Sequence, residues 1–569
     1  MYKAALLAEK LAIEYSQNKQ KQFPKIVWKA PAQGIGESYS TSYEKGIIQV
    51  QAESPLGAAY GIAQLNITLA GDHLGDFLGL SQPRFALRPL WIGCDSYVSS
   101  NGIGIALPRY MATSSHEEMK INSEKLFHRI IELGYNTILL GSNHSSTAAV
   151  SRLNFDDVYS ELNSFIQLAH DFGLKVIVKP CFFSTEASKK ISHCPLSPLF
   201  RGHLIEQIEL LYASVSSMDY LFWESSLLCA EFIHDTFARD ATLSELVVSE
   251  LHLLESSLKG RSQLIYYIPT SDLATAHQHA VWLPGLCDEA QINTIISFSA
   301  VAGDCYADHL PPHPFWEKLR SSPDISATRL LPIVNAGLIS QGEGLWPTLA
   351  VDLIDKYYSR LYRHRFVGVL ALTNALPQRG GMLDCSLWIA GQALWRNLSP
   401  SSLSETWFAA FRPDWYFEES GDIMSRMRQI AIKLSFLRSL NAEANSNILA
   451  EDCRIMTDHI LTNLRDIKLS LEKIERKQVK KRKSPTCNDY VQVFSRDAQR
   501  IVVRFLQSFN LSSPFAMEEV DLRESFWTQL SSGSGQGIRS AGKILFCDEP
   551  RRGAPGSAME GIYLENRFL

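Results

Sequence analysis

Short apolar runs recur through the middle of the chain, and amphipathic stretches fill the intervals between them. The runs cover 90–95, 137–142, 175–180, 220–224, 264–269, 294–299, 330–335 and 367–373. Each is nearly continuous in apolar character, as parallel strands buried on both faces require. Between them, 121–133, 158–172, 203–216, 243–258 and 349–362 carry apolar residues at helical spacing. Eight strand–helix units in one stretch predict a (β/α)8 TIM barrel over 86–400. A doubly wound open sheet is the competing architecture. It rarely needs eight units, and no glycine-rich phosphate loop follows the first run.

The flanks read differently. Residues 1–85 predict a small α+β domain. It has a helix over 4–15 with Ala4, Leu7, Ala8, Leu11 and Ala12 on one face, strands at 25–28 and 46–52, and a second helix from Pro55 through Leu65. Pro83 and Arg84 mark its exit. Residues 401–569 predict a mostly helical domain, with long amphipathic stretches at 423–440 and 452–477. The basic run 473–483 reads as a solvated helix end or linker, with contact to a polyanion as the alternative. Ser531-Ser532-Gly533-Ser534-Gly535 has the composition of a flexible loop.

Composition narrows the function classes. The 569 residues are 46% hydrophobic and 20% charged, a globular profile rather than a disordered or fibrous one. Fifty-five basic against 60 acidic residues leave a formal charge of −5, which predicts no nucleic-acid partner and no anionic membrane partner. The absence of an 18-residue apolar run predicts no membrane-spanning helix, and the start lacks the pattern of a signal peptide, so a cytoplasmic protein is expected. The ten cysteines show no C-x-x-C pair and suggest neither a zinc scaffold nor a disulfide framework.

In a (β/α)8 barrel the chemistry sits at the C-terminal ends of the strands. That rule selects Asp95 after the first strand, Asn143 and His144 after the second, Lys179 after the third, and Trp223 and Glu224 at the fourth. It then selects Asp304 and Tyr306 after the sixth, Asn335, Glu343 and Trp346 at and after the seventh, and Asn374 and Arg379 after the eighth. Carboxylates, amides and aromatics together suit a sugar, because flat rings stack on pyranose faces and two acids perform the displacement. Glu224 leaves an apolar strand beside the indole of Trp223, and apolar surroundings disfavour a charged carboxylate, which suits a general acid. Its structural alternative is a carboxylate bonded to a neighbouring loop. Asp304 is a candidate to activate water or to act as nucleophile, and equally a loop-capping residue. Glu343 lies in a Gly-flanked loop, and Asp95 is placed to bind a sugar hydroxyl or to cap a turn.

Other patterns carry less. His277-Gln278-His279 imitates a metal-binding H-x-H, but lies in a helical stretch where residues two apart diverge. His309 and His313 lack a third spaced ligand. Ser142 and Ser225 have no G-x-S-x-G elbow, and no Walker or dinucleotide fingerprint is present. No metal and no cofactor is expected.

The layout resembles glycoside hydrolases of the α-glucuronidase and β-hexosaminidase type. The strand 46–50 followed by Ser54-Pro55-Leu56-Gly57-Ala58-Ala59-Tyr60-Gly61 is similar to their non-catalytic first domain. Pro83 through Trp91 resembles the approach to their first barrel strand, and Ser386 through Ser399 resembles the end of the α-glucuronidase barrel, with Gln392 where that family has Arg. The resemblance spans about 400 residues and implies a carbohydrate substrate, with an acid after the fourth strand at Glu224 and carboxylates at Asp304 and Glu343. The Asp-Glu pair of the hexosaminidases is replaced here by Trp223-Glu224. A glycoside hydrolase of α-glucuronidase-like type is therefore expected. A catalytically silent carbohydrate-binding member and a metal-dependent barrel hydrolase are the alternatives.

Overall fold

The computed structural model describes residues 2–17, 25–32, 34, 36–70, 78–92, 96–100, 103–107, 116–141, 151–152, 158–181, 194–215, 217–225, 227, 241–268, 273–299, 327–337, 358–373, 382–395, 406–407, 462–463, 466 and 469. The first elements are α1 (Tyr2–Gln17), β1 (Lys25–Lys29), β2 (Tyr39–Glu44), β3 (Ile47–Ala52), α2 (Pro55–Ala70) and β4 (Gly79–Ser81). They form a four-stranded sheet of order β1-β3-β2-β4. On β3, Ile48, Val50 and Ala52 are buried while Ile47, Gln49 and Gln51 face out, the period of two that one covered sheet face imposes. β2 and β3 are joined by Lys45 and Gly46, both with positive φ (50° and 77°), the backbone a two-residue hairpin demands. Sequence reading finds both helices, β1 and β3. It misses β2 and β4, whose polar residues break the apolar signal.

The barrel follows. In chain order its elements are β5 (Pro89–Ile92), β6 (Ser96–Ser100), β7 (Ile103–Leu107), α3 (His116–Leu133), β8 (Thr137–Leu140), β9 (Ser151–Arg152), α4 (Val158–Asp171), β10 (Lys175–Val178), β11 (Pro180–Cys181) and α5 (Pro198–Ser214). They continue with β12 (Tyr220–Glu224), α6 (Leu243–Leu258), β13 (Gln263–Ile268), α7 (Leu273–Glu289), β14 (Thr294–Ser299), β15 (Leu330–Gly337), β16 (Leu370–Thr373) and α8 (Met382–Ala393). β5, β8, β10, β12, β13, β14, β15 and β16 pair in that order, all parallel, and β16 returns to β5 through Leu372↔Trp91. The protein is a (β/α)8 barrel, and its strands are the eight read from the apolar runs.

Closure splits every strand into two faces. Trp91, Leu139, Ile177, Phe222, Ile265, Ile295, Leu331 and Leu372 fill the interior. Their chain neighbours, among them Leu90, Ile138, Val176, Leu221, Leu264, Ile296, Leu330 and Ala371, pack outward against the helices in one continuous core shared with the first sheet. Neither set meets water, so the sequence shows runs rather than alternation.

The helices are placed by local signals. Thr242 and Glu245 form a reciprocal capping box at the start of α6, and Lys259 closes its end at φ 52°. At the N-terminal end of the barrel, buried Arg88 pairs with Glu37, and Asn136 Nδ2 donates to the same carboxylate at 3.0 Å. The Tyr60 hydroxyl donates to the Tyr135 carbonyl at 2.6 Å, fastening α2 to the barrel.

A second sheet of order β11-β7-β6-β9 follows from the C-terminal ends of the barrel strands. Its β6–β7 hairpin is absent from the sequence reading, although Asn101-Gly102 between the two runs is a strong hairpin signal. The amphipathic stretches 423–440 and 452–477, the basic run and the Ser/Gly segment lie outside the described residues, apart from helical positions 462, 463, 466 and 469. Among the described residues no helix is long and apolar enough to cross a membrane.

Candidate active site

Among the described residues, the C-terminal ends of β10 and β12 bring two charged residues together at the barrel mouth. Tyr220 and Phe222 of β12 point inward, and Leu221 and Trp223 point outward. Glu224 takes the next inward position. Lys179, two residues after inward Ile177, does the same one strand over. Their side chains meet, Lys179 Nζ lying 2.6 Å from Glu224 Oε2. The glutamate side chain is 31% exposed against 9% for the lysine, so the pair is open toward the mouth on the carboxylate's side.

Aromatic rings form the floor beneath it. Lys179 Nζ stands 5.3 Å from the centre of the Trp91 ring, a cation held against an electron-rich face. The Trp91 indole N–H donates to the Gly141 carbonyl at 3.0 Å and its ring lies 5.7 Å from Phe222, which in turn lies 5.2 Å from Tyr267. Gly141 adjoins Lys179 so closely that a Cβ there would lie 2.4 Å from the lysine Cβ. A side chain at 141 therefore cannot be accommodated without moving Lys179.

Trp223 does not line the mouth, correcting the expectation that it binds substrate beside Glu224. Adjacent strand residues face opposite ways, and its buried indole donates to Glu250 Oε1 on α6 at 3.1 Å. The expected apolar setting of Glu224 is likewise replaced by an ion pair. Asn335 lies on β15 at a register shift, with its side chain outside the described set. Asp95, Asn143, His144, Asp304, Tyr306, Glu343, Trp346, Asn374 and Arg379 lie outside the described residues. Sequence reading overlooked Trp91, Phe222 and Tyr267. Counting inward from Glu224 in steps of two finds Phe222 at once.

The arrangement offers a carboxylate able to exchange a proton or accept hydroxyl hydrogen bonds, with an ammonium bearing three N–H donors beside it. On α7, His279 Nδ1 accepts the Trp282 indole N–H at 3.1 Å, and burial pushes its pKa down. Among the described residues no group of His, Cys, Asp and Glu is arranged to hold a metal ion.

The chain matches no protein-family profile, and no curated protein matches it. Solved structures do. A GH138 enzyme targeting pectin rhamnogalacturonan II is 12% identical, with 88% of this chain and 67% of that chain covered and a TM-score of 0.57. A family 89 glycoside hydrolase from Clostridium perfringens is 9% identical over 75% of this chain and 53% of that one, at a TM-score of 0.44. A GH20 exo-β-N-acetylglucosaminidase from Vibrio harveyi is 12% identical over 71% of each chain, at 0.42. The first of these likenesses is one of fold.

Proposed function

We propose that the chain is a glycoside hydrolase, α-glucuronidase-like in its layout, with the barrel over 86–400 flanked by domains at 1–85 and 401–569. One observation carries the reading: Glu224 stands on the inward face at the C-terminal end of the fourth barrel strand, partly exposed, with Lys179 at 2.6 Å. That is where this fold keeps its chemistry. Likeness of fold to a GH138 enzyme supports it.

In this reading Glu224 protonates the glycosidic oxygen, while Asp304, with Glu343, activates water on the opposite face of the sugar. A spacing of about 6.5–9.5 Å between the two working carboxyls gives inversion, and about 5–5.5 Å gives retention.

Glu224→Gln tests the assignment. With a panel of aryl glycosides that includes glucuronides, the variant loses most hydrolysis and keeps oligosaccharide binding near that of the parent. A fully active variant rejects the role. The ion pair itself favours a second reading, a carbohydrate-binding member that does not hydrolyse, because it engages the carboxylate that must act as acid. Oligosaccharide binding with no sugar released from any member of the panel would establish that reading instead.

A further inference from the structure

Behind Glu224, on the outer wall of the barrel, lies a carboxyl that the proposed chemistry does not use. Glu250 of α6 is fully buried. Its Oε1 accepts the Trp223 indole N–H at 3.1 Å, and its Oε2 lies 2.7 Å from the Ser225 hydroxyl. These two residues are the chain neighbours of Glu224. Tyr266 of β13 places its hydroxyl against the same Oε2 and 2.6 Å from Ser225 Oγ.

The ladder shows why such anchoring matters here. On its β10 side, β12 is paired at Ile177↔Tyr220 and Val178↔Leu221, short of its end. Residues Phe222 to Glu224 are laddered on the β13 side alone. The strand end that carries Glu224 is thus held by backbone bonds along one edge, and by side chains behind it.

The Ser225 and Tyr266 hydroxyls both donate to Glu250 Oε2 and lie against each other. Burial pushes the Glu250 pKa up and outweighs the three hydrogen bonds that act in the other direction.

We propose that Glu250 is a positioning residue for Glu224, gripping Trp223 and Ser225 from the outer face and so aiming the carboxylate between them at Lys179 and the mouth. Its catalytic consequence rests on the hydrolase reading, whereas its geometric consequence does not. The test uses the full chain as wild type, Glu250→Gln and Glu250→Leu, with crystal structures and steady-state kinetics on the aryl glycosides. Glu250→Leu is expected to separate Glu224 from Lys179 in the crystal. Its kcat should fall about 100-fold, the scale of a misplacement of about 1 Å, with KM changed less than about threefold. Glu250→Gln can still accept from Trp223 and donate to Ser225, and should recover kcat to within about threefold of wild type.

An unmoved Lys179–Glu224 pair in Glu250→Leu overturns the proposal, as does a Gln variant no better than Leu. If the wild type cleaves nothing in the panel, the hydrolase reading falls, and the crystallographic position of Glu224 still decides this one. Should Glu250→Leu not fold, Ser225→Ala removes one arm of the clamp with little loss of volume. A Glu224 carboxylate unmoved in that variant is equally fatal.

Discussion

Glu37→Ala measures how firmly the first sheet is fastened to the barrel. Arg88 precedes β5 and has no exposed surface. Its Nε donates to the Gly134 carbonyl at 3.1 Å and one terminal nitrogen to the Phe85 carbonyl at 2.9 Å. The other terminal nitrogen pairs with Glu37, and the guanidinium lies 4.6 Å from the Trp395 ring and 5.7 Å from that of Tyr60. Removing the carboxylate leaves those carbonyl and aromatic contacts but takes away the counter-charge. It also removes the acceptor of one Asn136 amide N–H, which donates to Glu37 at 3.0 Å, while the amide keeps its bond to the Ala86 carbonyl at 2.9 Å. Breaking a buried pair from one side costs about 3–5 kcal/mol. Because the Glu37 side chain keeps 18% exposure, water can reach the gap and the lower end applies. We expect a loss of about 3 kcal/mol, of which the Asn136 bond is about 1. Equilibrium urea denaturation followed by tryptophan fluorescence reads this, since Trp395 lies against the guanidinium. The double variant Glu37→Leu with Arg88→Met, which removes both charges, should recover at least half of the loss. A single variant within about 0.5 kcal/mol of wild type, the range of ordinary surface changes, would falsify the view that this pair bears on the junction.

Two further outcomes follow from the same geometry. Gly141→Ala places a methyl 2.4 Å from the Lys179 Cβ and 2.8 Å from its carbonyl oxygen, so the lysine must shift. Overpacking of this kind costs about 1–3 kcal/mol, and hydrolysis should fall with the displaced ammonium; unchanged stability and rate together would show that the site tolerates the shift. Glu250→Gln should change the pH dependence of stability. An unfolded Glu250 ionises near its ordinary 4.5, whereas burial raises its folded value, so the folded state retains a proton that the unfolded state releases. Its stabilising contribution is present in full below 4.5 and is lost as pH rises toward the folded value, at up to about 1.4 kcal/mol per pH unit. The Gln variant lacks this loss, so its advantage in denaturation midpoint grows as pH rises above 4.5. An advantage that does not vary with pH would mean that Glu250 is ionised in the fold.

Much of the scaffold was legible because parallel strands covered on both faces leave a plain mark. Each barrel strand appears as an apolar run of four to eight residues in the finished structure. The Ser/Thr-rich β2 and β6 leave no such run, and the apolar β7, Ile103–Leu107, lacks a second apolar run beside it to mark a hairpin. Their turn signals, Lys45-Gly46 and Asn101-Gly102, are short. The site was legible in part. The rule that strand ends carry the chemistry picked out Lys179 and Glu224, which the fold brings together. It also picked out Trp223, which the fold turns away.

Residue order alone determined that eight buried strands exist in the barrel region and roughly where each lies, since burial acts over a few neighbouring positions. It also determined that Trp223 and Glu224 face opposite sides, because a pleated strand alternates. Which side is the interior was decided only when β16 closed on β5, for a run apolar on both faces carries no label for inside and outside. The same closure placed Lys179 against Glu224 and set Glu250, 26 positions further along the chain, behind them. Contacts between residues that distant depend on how strands and helices are arranged in space, and no local pattern of apolar and polar residues records that.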